Sequence, residues 1–121
     1  MATNLDAHCA HCAHQIVALS GTSRDKELEN RLNNALSVLQ EDGFYAFYLF
    51  LKYRDLDRPP KDVWSLLRAL LRGDAVGAPL PPEDDDTAVI QLTEDLQTLL
   101  LAKQLTERTL IYVRYGLRSL P

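Results

Sequence analysis

The chain has 121 residues, 46% of them hydrophobic and 25% charged, with a formal net charge of −4. That length suits one domain, and that balance excludes global disorder. No apolar run approaches the roughly 20 residues that span a bilayer, and Met1 to His14 has neither the positive charge nor the apolar stretch of a secretory signal, so the expectation is a cytoplasmic protein with Cys9 and Cys12 reduced.

Strand signals are scarce, while Leu and Ala, both helix formers, dominate. The pattern predicts an all-α fold: a compact bundle of about five to six helices in a single domain over residues 1–121. The first helix runs from Leu5 to Leu19 and stops at Ser20-Gly21. Thr22 or Ser23 N-caps the second. Its residues Leu28, Leu32, Ala35 and Leu39 recur at spacings of four, three and four, which is one helix face, and Gly43 ends it. The third runs from Phe44 to about Tyr53. It is apolar nearly all round, so it belongs at the centre of the core or beneath a partner.

Arg58-Pro59-Pro60 reads as a linker, with Pro60 suited to the first turn of the fourth helix. That helix carries Val63, Leu66, Leu67, Leu70 and Leu71 on one face and closes at Gly73. Residues 76–86 read as a flexible Pro/Gly/acidic loop. Asp84 to Asp86 precede the fifth helix, where carboxylates favour the positive end of the helix dipole. Val89, Leu92, Leu96, Leu99 and Leu100 form its expected buried stripe. The pattern continues through Leu105, Thr109, Tyr112 and Gly116, beside a second row of Leu110, Val113 and Leu117. Helices five and six are either separate or one rod, with a weak break near Thr106.

His8-Cys9-Ala10-His11-Cys12-Ala13-His14 packs five potential metal ligands into seven residues. On a helix, His8, His11 and Cys12 share a face, a set that zinc accepts. A structural zinc site usually draws a second ligand pair from elsewhere, and the sequence has no other Cys or His. The expectation is therefore a His/Cys-rich helix start with no metal or cofactor. No phosphate loop, nucleophile elbow or HExxH motif is present, so no catalytic residue is assigned.

Two groups of basic residues stand out. Lys52, Arg54, Arg58 and Lys61 cluster at the end of the third helix and in the linker after it. Arg108, Arg114 and Arg118 interleave with Tyr112 and Tyr115 near the C-terminus. Such mixtures hold phosphates and stack on bases, and they also occur as solvated helix faces whose arginine stems cover apolar surface.

Three stretches carry a family resemblance. Leu36-Ser37-Val38-Leu39-Gln40-Glu41-Asp42-Gly43-Phe44-Tyr45-Ala46-Phe47-Tyr48-Leu49-Phe50-Leu51-Lys52 joins a helix through a glycine to an apolar helix that closes with a lysine. Val63-Trp64-Ser65-Leu66-Leu67 follows. Leu105-Thr106-Glu107-Arg108-Thr109-Leu110-Ile111-Tyr112-Val113-Arg114-Tyr115 forms a C-terminal helix with a basic-aromatic end. Together they resemble the small-subunit family of type III-B CRISPR effector complexes, the fifth Cmr protein, over roughly residues 5 to 120. The His/Cys cluster, the acidic loop and the modest basic content depart from that pattern.

The resemblance implies a non-enzymatic helical subunit. Copies would stack head to tail among other effector subunits and help hold the guide–target RNA duplex. By motif it implies RNA contact at Lys52, Arg108 and Arg114; charge clustering adds Arg54, Arg58, Lys61 and Arg118. Glu83 to Asp86 could supply the acidic side of a head-to-tail contact. The alternative class is a helical protein–protein adaptor without nucleic-acid contact. A weaker third reading is a metal-responsive protein built on the His/Cys cluster.

Overall fold

A computed structural model describes residues 4–52 with their side chains, the backbone of 53 and 54, and residues 63–121. All regular structure among these residues is helical, as the Leu- and Ala-rich periodicity predicts. The helices are α1 (Leu5–Ala18), α2 (Lys26–Asp42), α3 (Phe44–Arg54), α4 (Val63–Leu71), α5 (Asp85–Glu94) and α6 (Leu96–Arg118), with a 3-10 turn at Asp74–Val76. No helix among the described residues is long and apolar enough to cross a membrane.

Short polar side chains start these helices by accepting otherwise unpaired backbone N–H groups. Asn4 accepts from Ala7 N at 3.0 Å. Asp25 accepts from Leu28 N at 3.1 Å, so it caps α2 in place of the expected Thr22 or Ser23. Gly43 alone separates α2 from α3, and its φ of 97° is a backbone state that other residues resist. Arg58, Pro59 and Pro60, expected as a linker and helix start, lie outside the described residues.

α6 is the axis of the bundle. α1, α2, α4 and α5 all pack on it, while α3 lies on α2, α4 and α5. α3 is therefore not the central element that its all-round apolar sequence suggests. It buries Phe44, Phe47, Tyr48 and Leu51 and leaves Tyr45 exposed. Burying each such large apolar side chain contributes roughly 1.5–3 kcal/mol. The inner row of α6 is Ala102, Leu105, Thr109, Leu110, Val113 and Leu117. α1 faces it with Cys9, Cys12, Ala13 and Ile16. The two helices come so close that a Cβ on Gly116 would sit 2.7 Å from Val17 Cγ2.

Two expectations change at the α5–α6 junction. The break falls at Asp95, not near Thr106, which is fully buried inside α6. Asp95 ends α5 and caps α6, accepting from Gln97 N at 3.0 Å and from Thr98 Oγ1 at 3.0 Å. The turn re-aims the apolar stripe, so Leu96 and Leu100 are not buried: they are 68% and 49% exposed.

Residues 76–86, expected as a flexible loop, are partly ordered by the core. Asp85 and Asp86 already belong to α5. Leu80 is buried, and its N–H bonds to Leu71 O at 3.0 Å. Arg72 donates to the carbonyls of Pro81 and Glu83.

Candidate nucleic-acid interface

Helix periodicity places Arg108 and Arg118 on the outer side of α6, where they are 51% and 53% exposed. Tyr115 lies between them at 67% exposure. Arg108 is loosely paired with Asp6 of α1 at 3.7 Å. The same carboxylate accepts a hydrogen bond from the Tyr112 hydroxyl. That bond raises the Tyr112 pKa, because it stabilises the protonated phenol.

Arg114 leans the other way, and its Nε donates to Asn33 Oδ1 on α2 at 3.0 Å. Arg118 reaches Glu29 at 3.5 Å. Glu29 is buried, and Arg24 also holds it through several N–H···O bonds of 2.7–2.9 Å. The Arg24 hydrogen bonds hold the Glu29 carboxyl below its usual range. Arg24 N also donates to Pro121 O, so this cluster ties the α1–α2 connection to the end of the chain.

Lys52 belongs to a separate cluster where α3, α4 and α5 meet. Its Nζ donates to the Tyr48 hydroxyl at 2.8 Å and to Asp86 Oδ1 at 3.3 Å. The Tyr48 hydroxyl donates to the same Asp86 oxygen at 2.5 Å. Burial, then the bond to Asp86, pushes Tyr48 up to about 12. Bonds from Tyr48 and Lys52 lower the Asp86 carboxyl, and the bond to Tyr48 raises Lys52.

Beside it, Asp85 accepts from Trp64 Nε1 at 3.1 Å and pairs with Arg68 at 3.1 Å. Arg72 approaches the same carboxylate at 3.8 Å. Asp85 and Asp86 are thus neutralised within the fold, at the N-terminal end of α5 where the helix dipole also favours them. Of the acidic segment expected to serve a head-to-tail contact, Glu83 and Asp84 form no ion pair among the described residues. Asp84 caps α5 by accepting from Thr87 N.

The predicted basic residues therefore do not form one patch. Arg108 and Arg118 are half exposed on the outer side of α6, Arg114 and Arg118 both bond to α2, and Lys52 sits at the α3–α5 corner. The side chain of Arg54, and Arg58 and Lys61 entirely, lie outside the described residues. Sequence reading missed Arg24, Arg68 and Arg72. Trp64, Arg68 and Arg72 recur every fourth residue, which was the available sign that one helix face addresses a common anion.

The His/Cys cluster divides by helix face. His8, His11 and His14 are exposed, while Cys9 and Cys12 are buried. The Cys9 thiol donates to Leu105 O at 3.5 Å and the Cys12 thiol to Leu66 O at 3.6 Å. Burial raises both thiols, Cys12 to about 12. Zinc needs the thiolate, so this placement works against zinc ligation. Among the described residues, no group of three or more His, Cys, Asp or Glu side chains is placed to hold a metal ion. His8, His11 and Cys12 instead line a mainly apolar cleft of about 200 Å³ with Leu66, Leu70 and Val76.

Comparison with protein-family models, curated proteins and solved structures returns no match to this chain.

Proposed function

We propose that this chain is a non-catalytic small subunit of an RNA-guided type III CRISPR interference complex. It stacks with copies of itself and with other effector subunits and helps to hold the guide–target RNA duplex. The observation that carries this reading is the outer face of α6, where half-exposed Arg108 and Arg118 flank an exposed Tyr115. Guanidinium groups grip phosphate oxygens without reading sequence, which is what a subunit needs when base pairing supplies specificity. The all-helical bundle agrees with the family resemblance. The mild net charge of −4 is compatible, because a local basic face acts within a Debye length.

The adaptor reading has its own support in Leu96 and Leu100, which are exposed apolar side chains at the start of α6. Salt dependence separates the two. With Arg108→Gln and Arg118→Gln combined, and folding checked by melting, duplex binding should weaken. The slope of log K against log salt should fall by roughly one for each arginine–phosphate pairing removed. An unchanged slope would favour the adaptor.

A further inference from the structure

We infer that His8 and Cys12 form a two-ligand site for a soft monovalent metal ion, copper(I), in the cleft between α1 and α4. The two residues are one helix turn apart on α1, so their side chains lie one above the other on the same flank. Both line the cleft of about 200 Å³. His8 is exposed at its rim, and Cys12 is buried in its wall. Cys9 and His14 are not part of it. Cys9 is fully buried, and its thiol is turned to Leu105 O on α6. His14 lines a separate groove with Tyr112 and Gly116.

The number and kind of donors select the metal. Structural zinc takes four ligands, and no group of three or more His, Cys, Asp or Glu is placed to hold an ion among the described residues. Calcium and magnesium take oxygen donors in greater number, whereas this pair offers one sulfur and one nitrogen. Copper(I) has a filled d shell, is satisfied by two donors in line, and favours thiolate and imidazole. Leu66, Ala69, Leu70, Ala75 and Val76 make the rest of the lining mainly apolar. Such a surround limits access of water and disfavours copper(II), which seeks a square of nitrogen and oxygen donors.

Charge gives the same answer. The Cys12 thiol donates to Leu66 O at 3.6 Å. As the Cu–S bond forms, that hydrogen bond is given up and the thiol proton passes to water. The neutral His8 ring contributes a nitrogen lone pair and loses no proton. One positive charge replaces another, so the metal–thiolate unit stays neutral in its buried wall. A divalent ion on the same two ligands would leave an uncompensated charge beside apolar side chains, which is costly. The site needs neither RNA nor a second copy of the chain.

The test is anaerobic titration of the whole chain with copper(I) against a chromophoric copper(I) chelator, followed by X-ray absorption at the copper edge. One equivalent should bind per chain, with one sulfur and one nitrogen on the metal. His8→Ala and His14→Ala both change exposed helix positions, so both proteins should fold. The first should weaken binding roughly tenfold or more, and the second should leave it unchanged. Absence of stoichiometric binding would overturn the inference. So would His8→Ala without effect, equal losses from both changes, or two sulfurs on the metal, which would put the ion between Cys9 and Cys12.

Discussion

Replacing Gly116 with alanine should destabilise the protein even though alanine is the better helix former. In a helix interior the exchange is ordinarily favourable by about 1 kcal/mol. Here the new Cβ would lie 2.7 Å from Val17 Cγ2, inside any normal contact. Val17 is β-branched and held in α1, so its χ1 has little freedom to move the methyl aside. Overpacking of this kind costs about 1–3 kcal/mol. The middle of that range less the propensity gain leaves a net loss of about 1 kcal/mol, or roughly 4 °C in melting temperature for a domain of this size. Val17→Ala removes the obstructing methyl. In that background Gly116→Ala should stabilise by about 1 kcal/mol, a coupling of about 2 kcal/mol. Urea denaturation of the four proteins completes the cycle. Additive effects, with coupling below about 0.5 kcal/mol, would refute the close approach of α1 and α6.

Two further outcomes follow from the buried polar groups. Glu29 has its folded pKa depressed by Arg24. The stability it confers is complete above the unfolded carboxyl value and is lost as pH falls through the folded one. Melting temperature should therefore decline from about pH 4.3 downward, and Glu29→Gln should lower it at neutral pH while flattening the acid limb; parallel curves for the two proteins would contradict this. At Cys12 burial pushes the thiol up to about 12, so little thiolate is present at neutral pH. A thiol-reactive disulfide reagent should label Cys12 only at the rate of unfolding, and prompt labelling of the native protein would show the thiol to be accessible.

Much of the fold was legible because helix signals are local. The four- and three-residue recurrence of Leu28, Leu32, Ala35 and Leu39 requires only the geometry of one helix, and all four are buried. Gly43 marked a boundary because its φ of 97° is a property of one residue. The Asp95 cap was also readable in principle, from an Asp followed three residues later by Thr98, but the apolar stripe running past it hid the break. Of the candidate interface, the sequence offered the basic residues of α6 without their surroundings.

The sequence by itself determined the helical class, the turn at Gly43 and the sidedness of α2, since periodicity and capping act within a few residues. Tertiary structure decided where each helix face points and which charges neutralise each other. Leu96 and Leu100 emerge to solvent because the Asp95 turn rotates their stripe away from the core. Asp85 finds Arg68 and Trp64, and Glu29 finds Arg118, because packing brings α4 to α5 and the end of α6 to α2. Charge pairing depends on distance in space, and that distance exists only once the helices have packed.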